Sequence, residues 1–183
     1  MSAVFVPHRW TREQYEQLVR LGVFDPDQRV ELIEGEIVDM VPQNEAHAVT
    51  LSLLDRVLRQ AYGDGYVIRV QSPLALAGNS EPEPDIAVVQ GDPRDFLVGH
   101  PHTAELIVEV AETTLAYDRT AKLAIYARNQ IPEYWIVNLV DKVIEVYQEP
   151  RRSSYGRKTI LKKGESLQPN GAGSVVKVSE ALP

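Results

Sequence analysis

Residues 106–111 read LIVEVA, in which Leu106, Ile107, Val108, Val110 and Ala111 surround a single acid, Glu109. A short run this apolar fits a strand buried on both faces, inside a sheet covered by helices. An ionised carboxylate is very costly to bury alone. Glu109 must therefore be paired, protonated or bound to a metal. A structural salt bridge to Arg or Lys explains the run as well as a functional carboxylate does.

A second apolar strand lies upstream. "EPEPDIAVV", residues 81–89, carries Glu81, Glu83 and Asp85 at every second position before it turns apolar. Pro84 suits the first position of a strand, where no ladder donor is needed. Asp85 then stands at the mouth of the strand. If neighbouring strands present Asp85 and Glu109 on one face, two carboxylates converge. Their repulsion raises a pKa unless a cation separates them. Hard divalent ions such as Mg²⁺ or Mn²⁺ suit such oxygen ligands.

The next stretch, "LAYDRTAKLAIYARNQ", reads as a helix ending near Gln130 and carries Lys122. Asp118, four residues earlier, makes a surface i,i+4 ion pair the plain reading. The functional alternative turns Lys122 back over the strand ends. There an ammonium could orient a water or stabilise charge building on a phosphate.

The remaining patterns supply layers for this sheet. "WTREQYEQLVRLGVF" reads as a helix with a Thr11–Gln14 capping box, a stop at Gly22 and a stripe of Tyr15, Leu18 and Val19. "RVELIEGEIVDMV" reads as a hairpin around Glu34-Gly35. "NEAHAVTLSLLDRVLRQAYG" reads as a helix capped by Asn44, with His47, Leu51, Leu54, Leu58 and Ala61 on one face. "YVIRVQSPLAL" reads as a strand with Arg69 and Gln71 on one side. "PEYWIVNLVDKVIEVYQ" gives two strands with a turn near Val140-Asp141, "RKTILKK" a further one, and Pro169 to Gly173 a loose stretch. Helix, hairpin, helix, three strands, helix and strands point to an α/β or α+β sheet with helices packed on it.

The bulk properties narrow the chemistry. A length of 183 residues suggests one domain, spanning 1–183. The absence of cysteine excludes disulfides, thiolate metal sites and cysteine nucleophiles. A net charge of −7 argues against a protein that coats nucleic acid non-specifically, though not against a local basic strip. An enzyme that gathers carboxylates around a cation also reads acidic. "MSAVFVPHRW" makes a poor signal peptide, and no apolar run approaches the ~20 residues that cross a bilayer. A soluble cytoplasmic protein with no membrane partner is the expectation.

"EPDIAVV", followed by "LIVEVAETTLAYDRTAKLAIYARNQIPEYWIVNL", resembles the Uma-type family of restriction-endonuclease-like proteins, within the PD-(D/E)XK nuclease-like superfamily. "VELIEGEIVDM" and "KVIEVYQ" fit as well, so the resemblance spans about 29–147, with an N-terminal helix before it and a looser C-terminal β extension. It implies a restriction-endonuclease-like mixed β-sheet flanked by helices and a divalent-metal site for phosphodiester hydrolysis. The PD aspartate maps to Asp85 and the (D/E) residue to Glu109. The pattern's lysine belongs two residues after the acid, where this chain has Ala111; Lys122 takes its place. Glu31, His47 and Gln71 also match. Glu31 completes the acidic cluster or a second metal shell, or is an exposed strand acid. His47 is more often a hydrogen-bonded core residue than a ligand at such a position. Gln71 orients a carboxylate or a water, or satisfies backbone. Tyr126, one turn beyond Lys122, packs over the site or, as the simpler reading, in the core; Tyr134 and Trp135 read as core or interface, and Glu81 and Glu83 as solvated loop acids.

The resulting expectation is an Mg²⁺- or Mn²⁺-dependent endodeoxyribonuclease. Asp85, Glu109 and the backbone carbonyl of Val110 would hold the ion, and Lys122 would serve the attacking water or the phosphate. The partner is nucleic acid, with DNA expected. A homodimer is expected by analogy, because cutting two strands needs two sites. No P-loop is present, and the serines lack the local signature of an activated nucleophile. A nuclease-derived binding or scaffolding domain without catalysis is the alternative, supported by the acidic charge and Ala111. A purely structural sheet with a salt-bridged Glu109 is a third reading.

Overall fold

A computed structural model describes residues 6–183; the first five residues, part of the stretch read for a signal peptide, lie outside the described residues. Helix α1, Arg12–Arg20, starts at the capping box predicted from Thr11 and Gln14. The hairpin of β1, Val30–Ile33, and β2, Glu36–Asp39, turns at Glu34 (φ 51°) and Gly35 (φ 80°). Both turn residues lie in the left-handed region that a tight two-residue hairpin requires. Helix α2, Glu45–Tyr62, is capped by the Asn44 side chain.

The central sheet has six strands in the order β3-β4-β5-β6-β7-β8. They are β3 Tyr66–Val70, β4 Ile86–Gln90, β5 Leu106–Ala111, β6 Glu133–Asn138, β7 Val143–Arg151 and β8 Ser154–Leu161. Only β5 and β6 run parallel, so the sheet is mixed. Every residue of β5 and β6 is buried, as expected for strands covered on both faces.

Alternating side chains divide the apolar residues between the two faces. One face holds Val108, Val110, Trp135 and Val137 against Leu51, Leu54 and Leu58 of α2. The other holds Ile107, Ala111, Tyr134 and Ile136 against Leu123 and Tyr126 from the segment after β5 and Ile33 from the hairpin. A small two-stranded sheet, β9 Ser166–Leu167 with β10 Val176–Lys177, leads into the short helix α5, Val178–Ala181.

The segment after β5 departs from the single helix expected. A turn of α-helix, α3 Leu115–Tyr117, is followed by a π-helical turn, Asp118–Lys122, and then by α4, Leu123–Arg128. Such a turn re-phases the side chains and recurs at functional sites. The strand expected through YVIRVQSPLAL stops at Val70. Gln71 adopts φ 46°, which breaks the alternation meant to align it with Arg69. Its N–H still bonds the Asp85 carbonyl at 3.0 Å, so the pairing with the start of β4 extends one residue.

Candidate active site

The register explains how the two acids meet. Ile86 pairs with Val108 across the antiparallel β4–β5 ladder, so Asp85 falls opposite Glu109 one residue further on. There the side chains replace the ladder. The Asp85 N–H donates to Glu109 Oε2 at 3.3 Å, and the Val110 N–H donates to Asp85 Oδ2 at 2.9 Å. A strand residue sends its N–H and C=O to the same edge. The Val110 carbonyl therefore faces the same side as Asp85.

Lys122 completes the group. Its Nζ donates to Glu31 Oε2 at 2.6 Å and to Glu109 Oε1 at 3.3 Å. The expected surface pair with Asp118 is overturned: both residues are buried, and Asp118 accepts instead from Thr114 Oγ1 at 2.7 Å. In the π-helical turn both side chains point inward, a consequence that plain helical spacing does not convey. The Tyr134 hydroxyl steadies the turn by donating to the Asp118 carbonyl at 3.2 Å.

Glu31 reaches the site because its hairpin docks on the "EPEP" stretch. Leu32 and Glu81 exchange backbone hydrogen bonds of 2.7 and 3.3 Å, and the Glu83 N–H donates to Glu31 Oε2 at 3.1 Å. Glu31 is thus buried, against the reading of an exposed strand acid. Glu81 is buried too, and the solvated-acid reading fails for it. Burial, followed by the charge of Glu16, pushes its carboxyl up to about 7. Glu83 is partly covered and paired with Arg29.

His47 and Gln71 both serve Asp85. His47 Nε2 lies 3.0 Å from Asp85 Oδ2, and Gln71 Nε2 donates to Asp85 Oδ1 at 3.2 Å. His47 Nδ1 is buried without a hydrogen-bond partner. The Tyr126 ring packs in the core as expected, but its hydroxyl donates to Glu109 Oε1 at 2.6 Å. Tyr134 and Trp135 are fully buried.

The charges here do not balance. Burial raises the Glu109 carboxyl to about 8; Lys122 opposes this, while Asp85, Asp118 and Glu31 reinforce it. Asp118 is likewise raised by burial, to about 6, with Thr114 and Lys122 opposing. Burial works against the Lys122 ammonium, yet Glu109 and Glu31 outweigh it and hold the charge firmly. Four carboxyl groups, those of Glu31, Asp85, Glu109 and Asp118, thus surround one ammonium. The surplus is negative charge in a cleft of about 450 Å³, which these residues line together with Tyr117, Val110 and Glu112. The Tyr117 hydroxyl is buried without a partner, and burial lifts it to about 12.

Such a donor set suits a hard cation: two opposed carboxylates, a strand carbonyl facing the same edge and an excess of negative charge. Among the described residues no three His, Asp or Glu side chains already converge on one metal position. The fit therefore rests on Asp85, Glu109 and the Val110 carbonyl. Sequence reasoning missed Asp118, Thr114 and Tyr117. The i,i+4 spacing of Asp118 and Lys122 was visible, but without the π-helical turn it indicated a surface pair.

Three comparisons bear on these observations. A family model, Uma2, with the description "Putative restriction endonuclease", matches residues 12–177. No curated protein matches the chain. Among solved structures, a putative nuclease of DUF820 from Anabaena variabilis aligns with a TM-score of 0.71 at 13% identity, covering 93% of this chain and 96% of that one. At that identity the likeness concerns the fold, a mixed sheet flanked by helices.

Proposed function

The chain belongs to the Uma2 family, and from that premise we propose a metal-dependent endonuclease that hydrolyses DNA phosphodiester bonds. One observation carries the reading: Asp85 and Glu109 stand opposed across β4 and β5, with the Lys122 ammonium 3.3 Å from Glu109. Asp85, Glu109 and the Val110 carbonyl would hold Mg²⁺ or Mn²⁺. The chemistry such a cation supplies when bound is polarisation of the scissile phosphate and easier ionisation of water.

The chain's own residues do the rest. Gln71 and His47 hold the Asp85 carboxylate in one orientation. Tyr126 and Lys122 hold Glu109 through Oε1, and the Asp85 N–H holds it through Oε2. The Lys122 ammonium positions the attacking water or offsets negative charge building on the phosphate. No covalent intermediate is required.

Cleavage of plasmid and single-stranded DNA in Mg²⁺ and Mn²⁺ tests this. Asp85→Ala should lose activity by at least about a hundredfold. Calorimetric titration should show cation binding that disappears in Glu109→Ala. Cation binding unchanged in that variant would remove the assigned site.

A second reading has its own observation. Both Asp85 oxygens already accept protein donors, and Lys122 already bridges Glu31 and Glu109. That self-sufficiency favours a binding domain without catalysis. Such a protein would bind DNA and leave it uncut in either metal.

A further inference from the structure

Strand β8 is the last strand of the sheet, so one of its edges is unpaired. Residues 151–163, which span it, carry Arg151, Arg152, Arg157, Lys158, Lys162 and Lys163 with no acid among them. The rest of the chain holds 13 basic against 26 acidic residues, so this segment carries the sign opposite to that of the protein as a whole. All six side chains are exposed. Internal pairing uses only some of them. Lys158 bonds Glu145 at 2.8 Å, and Arg151 and Arg157 approach Glu149 at 3.1 and 3.8 Å. Among the described residues, Arg152, Lys162 and Lys163 make no ion pair.

The position of this strip relates it to the cleft. Glu109 pairs with Ile136, Ile136 with Glu145 and Glu145 with Ile160, a single row across β5, β6, β7 and β8. Residues on one row point to the same face, so Glu109 and Ile160 share it, and Lys158 joins them by alternation. Three strand spacings separate the ends of the row, about 14 Å, which one DNA strand covers in about four phosphates. Lys158 also connects to the cleft wall, because its partner Glu145 binds Arg119, the neighbour of Asp118.

We propose that the exposed basic edge formed by β8 and its flanking turns is a docking track for the phosphate backbone of nucleic acid, guiding it toward the acidic cleft. The proposal rests on the nuclease reading for its occupant, and the charge of the strip supplies the complementarity. Without such a track the cleft, rich in carboxylates, would repel a polyanion. Charged residues on an edge strand also keep other strands from adding to it. That simpler role survives charge reversal, because glutamates protect an edge as well, whereas DNA binding does not.

The test is binding of a short fluorescent DNA duplex in EDTA across a salt series. The wild type is compared with the triple variant Arg152→Glu, Lys162→Glu, Lys163→Glu and with Arg94→Glu, a control on the exposed turn after the far end of β4. The triple variant should bind at least about tenfold more weakly, with a salt slope reduced by about three, one for each phosphate no longer neutralised. Arg94→Glu should leave both unchanged. A triple variant with unaltered affinity and slope overturns the proposal, as does a wild type that binds no duplex at low salt. Binding through the strip without cleavage in Mg²⁺ or Mn²⁺ would sustain the track and overturn the nuclease reading. Cleavage with binding elsewhere would do the reverse.

Discussion

Glu109 and Glu145 occupy one row of the sheet with Ile136 between them, and each is almost wholly buried. Their surroundings drive them in opposite directions. Glu145 accepts from Arg119 Nε at 3.2 Å, Tyr147 Oη at 2.7 Å and Lys158 Nζ at 2.8 Å. Burial alone would raise its carboxyl, but Arg119, Lys158 and Tyr147 win and hold it at about 2. Glu109 shares a single ammonium with Glu31 and faces Asp85 and Asp118, and it is pushed up to about 8. A buried acid is not in itself a mark of function. What distinguishes Glu109 is a shortage of positive charge, which a cation from solution would relieve.

The strongest way to break this contrast is to remove the one cation on the Glu109 side. Lys122→Met leaves Glu31 buried without its counter-charge and takes the ammonium donor from Glu109. It should cost about 3–5 kcal/mol in chemical denaturation of the metal-free protein. A loss under about 1 kcal/mol would mean that the two glutamates are not so different. In a cleavage assay the same variant should fall by about a hundredfold or more.

Glu145→Gln should be milder, about 1–2 kcal/mol, because Arg119 and Lys158 are each more than a third exposed and can turn to water. A loss as large as that of Lys122→Met would show that Glu145 matters as much to the fold as the acidic cluster does.

The pH dependence sharpens the comparison by sign. Glu109, raised from 4.5 to about 8, keeps a proton in the folded state that the unfolded chain has released. Its contribution therefore falls as pH rises from about 4.5 to 8. Glu145, lowered from 4.5 to about 2, stabilises fully above about 4.5, and that contribution is lost as pH falls toward 2. Across pH, the loss of stability between about 4.5 and 8 should become shallower in Glu109→Gln, and the loss below about 4.5 shallower in Glu145→Gln. Matching slopes in both variants would abolish the distinction.

The smallest effect expected is that of Tyr126→Phe, which removes the hydroxyl donor from Glu109 and leaves the ring in place. It should cost about 1 kcal/mol, measured the same way.

Much of this was written locally in the chain. The Thr11–Gln14 box, the Asn44 cap and the Glu34-Gly35 turn are short-range signals whose physics acts over a few residues. The two apolar runs announced buried strands, and the odd acids within them drew attention to Asp85 and Glu109. What stayed hidden depended on contacts between distant segments. Glu81 looked like a loop acid because its burial comes from pairing with Leu32; for Tyr126 the sequence offered core or a place over the site, and only the contact of its hydroxyl with Glu109 joins the two.

By itself, then, the sequence determined most of the elements and the presence of two strand acids that need partners. Periodicity, capping and the cost of burying charge are all properties of neighbours. The tertiary structure alone decided which charges meet. The β4–β5 register set Asp85 against Glu109, and a π-helical turn carried Asp118 and Lys122 inward. The same turn gave Glu109 one shared cation, Lys122, whereas Glu145 received Arg119 from the turn and Lys158 from β8. Electrostatic balance depends on distances in space, and only the folded chain sets them.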